Sequence, residues 1–480
     1  MLETMISARL FFERFFADLA AKVIALSLFW IPMAHHASTR LELRPRPARH
    51  PSAPVEAIYP EALRFPKGFM WGVAVAGHQV EGDDTTSSWA RWEATGHTPQ
   101  VAGEAIDDWD LYADDMRLAA ETGATAYRMS IEWSRVEPRR GVFDRAALAR
   151  YVDMIAMCRS LGMEPIVTLY HFAYPAWLDR PTRGVPGPLR ARGWARKDAV
   201  PEYSRFVKVV AKALAGQVHY WITVNEPNVE PALGYLLGIF PPGDLSPIAY
   251  EAAIRHLEEA HVAAYDILHA ADPGCAVSTN MFRMVRRSGM RTTTLLPGLD
   301  PAQAMLDKLT HWRDHPGDPP RSTLDYIAFD YYYAFATLPE IFEARTYWRW
   351  PIYPEGLYDA AEYYYHRYHL PELVAENGMA THNDMPRKDG WTRSAFLVNH
   401  LYELHRAIAN GVPVIGYCYW SLMDNYEWGS YAPTFGLYEV DRADGSLARI
   451  PTPAVAVYRE LATSDSLPIA LLSRYLGRKS

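Results

Sequence analysis

From about residue 65 onward, short apolar runs alternate with longer segments that have helical periodicity. The apolar runs are bounded by Gly, Pro or Asn, as buried strands commonly are, and residues 110–123 and 393–411 are typical of the helical segments. The runs predict eight strands, at 69–76, 126–133, 165–172, 220–227, 276–280, 326–333, 372–378 and 414–422. Strands that alternate with helices over such a length predict an α/β fold, a single (β/α)8 TIM barrel with long loops.

A doubly wound sheet is the alternative fold for this alternation. That fold places a Gly-rich phosphate-binding loop after its first strand, and no such loop follows residues 69–76. The length of the chain allows one large barrel or two to three smaller domains. The barrel prediction assigns residues 61–463 to one domain and residues 464–480 to a C-terminal tail.

Residues 1–60 differ in composition from the rest of the chain. They carry seven Lys and Arg against five Asp and Glu, whereas the whole chain has a net charge of -8. Apolar residues between positions 12 and 26 repeat at helical spacing, residues 23–34 contain no charge, and a Pro-rich basic linker follows. The segment is therefore predicted to be an amphipathic or apolar helical extension ahead of the barrel.

Three interpretations of this extension stay open. The first is a helix at a membrane interface, with the basic linker facing anionic lipid. The second is a helix docked on the barrel or on another copy of the chain in a homo-oligomer. The third is a processed segment, although the long charged region that includes acids disfavours a signal peptide, and the charge-free run is short for a membrane span.

The composition also limits the classes of function. The three Cys residues, Cys158, Cys275 and Cys418, have no disulfide or zinc spacing and favour a reducing compartment. The predicted location is cytoplasmic, with the inner face of a membrane as the alternative. The acidic net charge disfavours nucleic-acid binding. Aromatic residues make up 13% of the chain, which suits either core packing or a site that stacks on flat ligands such as sugar rings.

Two carboxylates follow apolar strands at the point where barrel enzymes build their sites. Glu226 lies in ITVNEPN and Glu376 lies in LVAENG, and each has an Asn beside it. They belong to the fourth and seventh predicted strands, whose carboxyl ends meet at one face of a barrel. A single Glu at a strand end is usually a loop salt bridge, whereas two of them indicate a paired-carboxylate mechanism.

The residues around these glutamates, with further motifs in the same order, resemble glycoside hydrolase family 1, the retaining β-glycosidases. The resemblance covers about residues 65–462 and rests on FMWGVAVAGHQVEG, YRMSIEWSRVEP, TLYHF, TVNEP, GIFPPG, YPEGLYD, ENG and YWSLMDNYEWGSYAPTFGLYEVD. It implies a β-glucosidase-like enzyme that acts on O-glycosyl bonds of small-molecule or lipid-linked β-glycosides. No metal and no organic cofactor is implied, because carboxylate chemistry at a sugar carbon needs neither.

The resemblance assigns roles to the two glutamates and their neighbours. Glu226 would be the general acid and base, which requires a raised pKa, and Glu376 would be the ionised nucleophile. Arg128 and Tyr332 match positions that contact the nucleophile, where a cation and a phenol hydroxyl favour its charged form. Asn225 matches the residue that hydrogen-bonds the 2-hydroxyl of the sugar.

The resemblance also implies a set of residues that binds the sugar ring. Gln79, His171 and Glu427 match the positions that bind its hydroxyls, and Trp420 and Trp428 match a floor and a further contact. Members that act on 6-phosphosugars replace the Glu-Trp pair after the last strand with small and basic residues. Because this chain keeps Glu427 and Trp428, an unphosphorylated sugar is expected, with the glucose or galactose configuration left open.

The chain departs from the family pattern at several positions. Asp330 stands where Asn is usual, which adds a negative charge near the nucleophile, although a structural role is expected for it. Phe172 replaces a usual Trp and Thr434 a frequent Arg, and the loop after Trp428 is one residue short. None of these changes removes a catalytic carboxylate.

Some phrases resemble one subgroup of the family in particular, the sensitive-to-freezing galactolipid galactosyltransferases. They include AYRMSIEWSRVEP, GVPVIGYCYW and YPEGLYDAAEYYYHRYHLPELVAENG. Three functional hypotheses follow: a β-glucosidase or β-galactosidase type hydrolase, a membrane-associated transglycosylase that acts on glycolipids with the same two glutamates, and a non-catalytic sugar-binding barrel. A transferase differs from a hydrolase only in whether a sugar hydroxyl or water attacks the glycosyl-enzyme.

Overall fold

The computed structural model describes most of the chain after the predicted extension. The described residues are 55–59, 61–179, 191–288, 291–293, 301–335, 346–443 and 445–479. Nearly all of the predicted helical extension lies outside them, so its membrane and oligomer interpretations stay predictions. Within the described ranges, no helix combines the length and the apolar character that crossing a membrane requires.

Parallel strands form a closed barrel at the centre of the molecule. They are β1 (Met70–Ala74), β2 (Ala126–Ser130), β3 (Glu164–Thr168), β4 (Tyr220–Asn225), β5 (Ala276–Phe282), β6 (Ile327–Asp330), β7 (Glu372–Asn377) and β8 (Val414–Trp420). Consecutive strands pair with each other, and β8 pairs with β1 to close the ring. Every predicted strand is present, and the (β/α)8 barrel is confirmed.

A helix follows each strand on the outside of the barrel. These helices are α1 (Asp108–Glu121), α2 (Arg145–Ser160), α3 (Ala199–Leu214), α4 (Pro247–Ala271), α5 (Pro301–Leu309), α6 (Glu355–Tyr368), α7 (Arg393–Ala409) and α8 (Pro453–Ser464). The predicted helices at 110–123 and 393–411 correspond to α1 and α7. Shorter helices are Val55–Ile58, Gly77–Val80, Ser88–Ala94, Trp133–Val136 and Ile469–Tyr475, with short 3-10 or π turns at Ala176–Asp179, Gly193–Ala195, Ala232–Leu236 and Tyr347–Arg349.

Polar side chains set the first residues of several outer helices. The Asp144 carboxylate accepts from the backbone N–H groups of Ala146 and Ala147 at the start of α2. The Thr392 hydroxyl accepts from Ala395 N at the start of α7. These side chains satisfy N–H groups that have no partner inside the helix, and so fix where each helix begins.

Short strands outside the barrel pair with one another, mostly in antiparallel fashion. They are Leu63–Arg64 with Ser466–Leu467, Thr381–His382 with Pro433–Thr434, Tyr438–Asp441 with Ala448–Pro451, and the three-stranded group Val285–Ser288, Arg291–Thr293 and Ala334–Phe335. The first pair brings the two ends of the described chain together, and Trp71 Nε1 donates to Asp465 Oδ1 at 2.9 Å beside it. The predicted division at residues 463 and 464 stays a prediction.

Backbones approach closely where the barrel closes. Gly72 of β1 lies in register with Cys418 of β8. A Cβ at Gly72 would lie 2.5 Å from Cys418 Sγ, which is too close for two unbonded atoms. A residue without a side chain is therefore required at this point of the seam.

Candidate active site

The predicted site residues all lie at the carboxyl ends of the barrel strands or just beyond them. Gln79 follows β1, Arg128 lies in β2, His171 follows β3, Asn225 ends β4 and Glu226 follows it, Tyr332 follows β6, Glu376 lies in β7, Trp420 ends β8, and Glu427 and Trp428 lie in the loop after β8. Trp428 is partly exposed, and the side chains of the others are buried. The structure thus brings every one of them to the same face of the barrel.

The carboxylate of Glu376 receives hydrogen bonds on both oxygens. Arg128 Nη1 donates to Oε1, and Tyr332 Oη donates to Oε2 at 2.6 Å. Arg128 is itself fixed, since its Nε donates to Thr168 Oγ1 at 3.2 Å and its Nη1 donates to the Ala375 carbonyl at 3.1 Å. Two hydrogen-bond donors, one of them a buried cation, thus fix the orientation of this carboxylate.

Glu226 has a different environment from Glu376. It adopts a left-handed backbone conformation with φ of 41°, and its N–H donates to the Asn280 carbonyl at 2.9 Å. Burial, followed by the negative charge of Glu376, raises the pKa of the Glu226 carboxyl well above its usual range. One carboxyl is thus held by donors, while burial disfavours the charged form of the other.

Three carboxyl groups converge at this point of the site. Glu226, Glu376 and Asp330 each offer one oxygen, and these oxygens lie within 4.8 Å of one another. Such a spacing between the two glutamates resembles the short carboxyl separation of retaining glycosidases, whereas inverting enzymes leave roughly 6.5–9.5 Å for a water molecule. The third carboxyl, Asp330, ends β6 directly opposite Glu376 in the strand register.

Asn225 and Asn280 connect these groups from β4 and β5. Asn225 Oδ1 accepts from Arg128 Nη2 at 2.7 Å and from Asn280 Nδ2 at 2.9 Å. The same Asn280 nitrogen also donates to Asp330 Oδ2. Because both bonds to Asn225 engage its oxygen, its amide nitrogen is the atom that remains to donate to a ligand.

A second group of polar side chains lies beside the carboxyls. Gln79 Nε2 donates to Asn425 Oδ1 and to the Tyr426 carbonyl, both at 3.0 Å. Trp420 Nε1 donates to Glu427 Oε1 at 3.1 Å. Burial is the main cause that raises the pKa of Glu427 to about 8. This group presents amide, indole and carboxyl functions to one side of the cleft.

His171 is neutral and has an atom available for a ligand. Burial, followed by the charge of Arg128, lowers the pKa of its imidazole well below the usual range. Within the described part of the chain, His171 Nδ1 and Gln79 Oε1 are buried without a hydrogen-bond partner. Buried polar atoms cost free energy unless they are paired, so each of these atoms is suited to hydrogen-bond a polar ligand.

Aromatic rings line the same cleft. The His171 ring stacks on Trp420 and on Trp428, with ring centroids 5.9 Å apart in both cases. Phe172 meets Trp428 edge-on at 5.2 Å, and His78 stacks on the same indole at 6.1 Å. His78 Nε2 donates to the Glu93 carboxylate at 2.9 Å, which holds the His78 ring against Trp428.

Two members of this constellation were not among the predicted site residues. Asn280 is the last residue of the predicted strand 276–280, and its position at a strand end is the signal that could have identified it. Asp330 is expected from sequence to be structural, yet its carboxyl lies beside both glutamates. Strand register, which the sequence does not state, brings both of them to the site.

Comparison with known proteins gives consistent results. The sequence model of the family Glycosyl hydrolase family 1 matches residues 61–290 and 325–467. A β-galactosidase of Sulfolobus acidocaldarius is 28% identical over 481 residues, which cover 85% of this chain and 96% of the relative. The β-glycosidase of Pyrococcus horikoshii has a solved structure with a TM-score of 0.72 and 32% identity, covering 86% of this chain and 98% of that one.

A plant relative is similar over a smaller share of its own length. The chloroplastic galactolipid galactosyltransferase SFR2 of Arabidopsis thaliana is 28% identical over 413 residues, or 78% of this chain. The chain spans 60% of the length of that relative. The similar proteins therefore include a β-galactosidase, a β-glycosidase and a galactosyltransferase.

Proposed function

Since the chain belongs to glycosyl hydrolase family 1, we propose that it is a retaining β-glycosidase of the β-glucosidase or β-galactosidase type. It would hydrolyse unphosphorylated β-glycosides by double displacement, with Glu376 as nucleophile and Glu226 as general acid and base. The observation that carries the proposal is the pair of close carboxyls in unlike environments, one held by a cation and a phenol and the other raised in pKa by burial.

In the first step, an oxygen of Glu376 forms a bond to the anomeric carbon while the bond to the leaving oxygen breaks. Glu226 gives its proton to that oxygen, so that the aglycone leaves as a neutral alcohol. The raised pKa of Glu226 supports this assignment, because the group must hold a proton near neutral pH.

In the second step, water replaces Glu376 at the anomeric carbon. Glu226, now ionised, takes a proton from that water, and the bond between the sugar and Glu376 breaks to regenerate both groups. Two inversions retain the β configuration. The amide nitrogen of Asn225 is suited to donate to the 2-hydroxyl, a contact that strengthens toward the transition state.

The polar group of the cleft supports an unphosphorylated sugar. The buried Glu427 carboxyl accepts from Trp420 and can hydrogen-bond sugar hydroxyls, and the burial that raises its own pKa to about 8 would also disfavour a phosphate beside it. The stacked rings of His171, Trp420 and Trp428 offer an apolar surface for the face of a sugar ring. The Glu427 carboxyl can hydrogen-bond hydroxyls in either configuration at carbon 4, so both glucosides and galactosides are proposed as substrates.

Replacing the two glutamates tests the proposal. Glu376→Gln and Glu226→Gln are expected to lower kcat on alkyl β-glycosides by about a thousandfold or more, because each removes a bond-making or proton-transfer group. The measurement is a panel of alkyl and aryl β-glucosides and β-galactosides, with products resolved by mass spectrometry.

Glu372→Gln is the matched control, since Glu372 is a buried glutamate at the opposite end of the same strand as Glu376. It is expected to keep kcat near that of the wild type. Turnover that survives Glu376→Gln would disprove the nucleophile assignment, and turnover that it abolishes eliminates a non-catalytic sugar-binding barrel.

A second candidate function is favoured by the similarity to the galactolipid galactosyltransferase. In it, the same two glutamates transfer a sugar to a hydroxyl of a glycolipid, and residues 1–60 hold the enzyme at a membrane surface or in a homo-oligomer. Of residues 1–60, the structure describes only residues 55–59.

Galactolipid in anionic vesicles separates the two candidates. A transferase is expected to form oligogalactolipid, and the full chain is expected to co-sediment with the vesicles whereas a chain that starts at Pro60 does not. Release of monosaccharide alone would exclude the transferase, and equal sedimentation of the two chains would exclude the membrane role of residues 1–60.

A further inference from the structure

His78 lies between two chain segments that carry proposed sugar-binding residues. It belongs to the short helix Gly77–Val80, which also carries Gln79. Its ring stacks on Trp428 with centroids 6.1 Å apart and planes 10° apart, and it meets Tyr426 edge-on at 6.1 Å. One side chain of the first segment thus packs against two rings of the loop that follows β8.

Gln79 fixes the beginning of that loop but not the Trp428 indole. Gln79 Nε2 donates to Asn425 Oδ1 at 3.0 Å, and Tyr426 N donates to the Gln79 carbonyl at 3.2 Å. The Trp428 indole makes no hydrogen bond to a described residue, and rings such as Trp89 at 4.8 Å pack against it. The orientation of this indole therefore depends on the rings beside it.

His78 has an acidic partner at each ring nitrogen. Its Nε2 donates to Glu93 Oε1 at 2.9 Å, and its Nδ1 lies 3.6 Å from Asp84 Oδ2 and 3.4 Å from Ser87 Oγ. The side chain of His78 is only 1% exposed. A neutral imidazole carries one N–H, whereas the protonated ring carries an N–H at both nitrogens. The arrangement therefore suits an imidazolium with a carboxylate at each end.

The two carboxylates are fixed in turn by neutral donors. Glu93 Oε2 accepts from Ala102 N at 3.0 Å, and Asp84 Oδ2 accepts from Ser134 Oγ at 3.0 Å. Among the described residues, His78 is the basic side chain that pairs with both acids. Buried carboxylates are costly without a cation beside them, so this pairing keeps the His78 ring charged and in place.

The pKa of His78 agrees with this geometry. Burial acts to lower the pKa of the imidazole, but Asp84 and Glu93 outweigh burial and raise it to about 10. Burial likewise acts to raise the pKa of Asp84, yet His78 contributes to holding it below its usual range. A charged ring that stacks on an indole is also attracted to the π electrons of that indole.

We propose that His78 is a positioning residue for sugar binding: Glu93 and Asp84 fix its imidazolium, and the imidazolium holds Trp428 in the orientation that receives the sugar ring. This role rests on the proposed function, which places Trp428 in the sugar site. Because a ring contact of this kind is made with bound substrate and transition state alike, its loss weakens sugar binding without slowing the chemical step.

His78→Phe tests the inference, because the phenyl ring keeps an aromatic side chain but has no charge and no N–H for the carboxylates to hold. The KM for an alkyl β-glycoside and the Kd of free glucose or galactose are expected to rise roughly 3- to 10-fold, with kcat within about twofold of the wild type. Steady-state kinetics and calorimetry measure these constants.

A second variant covers the case in which His78→Phe folds poorly. His78→Phe leaves two buried carboxylates without their cation, which destabilises the fold. Adding Asp84→Asn and Glu93→Gln removes both charges, and the same rise of KM and Kd is expected in this triple variant. Thermal unfolding of each variant separates weaker binding from a loss of folded enzyme.

A double-mutant cycle shows whether His78 acts through Trp428. Trp428→Leu removes the ring on which His78 stacks, so in that background His78→Phe is expected to raise KM by less than about twofold. The same factor with and without the Trp428 ring would overturn the inference, because a purely structural role of His78 does not depend on this indole.

His400→Phe is the matched control, since His400 is a buried histidine of α7 that stacks on Phe396 at 3.8 Å outside the site. It is expected to leave KM and Kd unchanged. Wild-type values of KM and Kd in folded His78→Phe overturn the inference and leave the double displacement intact. Absence of turnover in the wild type overturns the proposed function instead, and the comparison of Kd values still tests the role of His78.

Discussion

Arg128 and Tyr332 both donate hydrogen bonds to Glu376, and they differ in how many other groups they contact. Arg128 donates to groups on β3, β4 and β7, so its replacement would disturb several strands at once. The hydroxyl of Tyr332 donates to Glu376 Oε2. Removing that hydroxyl therefore reports on the orientation of one carboxylate with little change to the barrel.

Tyr332→Phe is expected to lower kcat by roughly 10- to 100-fold, the loss that corresponds to one hydrogen bond to a charged group. Tyr331→Phe is the matched control, because the Tyr331 hydroxyl donates to the Tyr353 carbonyl at 2.6 Å outside the site. It should lower the unfolding temperature and spare kcat. Steady-state kinetics and thermal unfolding of both variants check the prediction, and equal kinetic losses would contradict it.

Motifs along the chain identified the side chains that the structure brings to one face of the barrel. Contacts between strands could be identified only in the structure. The glutamates and their donors lie in motifs that can be read along the chain. Asn280 and Asp330 carry no such signal, because what brings them to Glu226 and Glu376 is the register between strands. A one-residue change of register would turn both side chains away from the site.

At the level of elements, the alternation of apolar runs predicted all of the barrel strands but not where each one ends. The prediction 326–333 is longer than β6, which ends at Asp330. The Tyr331 carbonyl accepts from the Asn377 side chain, so a side chain replaces the strand partner there. The prediction 276–280 is shorter than β5, where Asn228 Oδ1 accepts from Phe282 N at 3.1 Å and extends the pairing.

The seam between β1 and β8 gives an element-level prediction. Gly72→Ala is expected to destabilise the fold by about 1–3 kcal/mol, because its Cβ would collide with Cys418 Sγ. Adding Cys418→Ala frees that space, so the double variant should lose less than the sum of the single variants. Denaturant unfolding of the three variants measures this coupling.

Gly274→Ala is the control for the seam, since its Cβ would meet only Asp272 Oδ1 at 3.4 Å, an ordinary contact. It is expected to be neutral or slightly stabilising. Additive losses at Gly72 and Cys418 would show that the close approach is not what requires glycine there.

At the scale of the whole molecule, the structure resolves one of the questions that composition leaves open. The aromatic residues serve both roles: Trp133, Tyr203 and Phe206 pack together in the core, while Trp420 and Trp428 stack on His171 at the cleft. Composition counts these rings alike because burial depends on contacts far apart in sequence. The family match begins at residue 61 and leaves out the basic extension, whose membrane role the vesicle experiment tests.

The bonds of Arg128 also have a consequence for how this molecule could diversify. One guanidinium ties together β3, β4 and β7, so the reacting carboxyls are anchored in the sheet and not in any surface segment. Connections that carry exposed apolar residues such as Leu245 and Met385 are attached outside this anchor. Connections outside this anchor can therefore change in length and sequence without moving the two carboxyls, whereas a change at Arg128 would reach several strands at once.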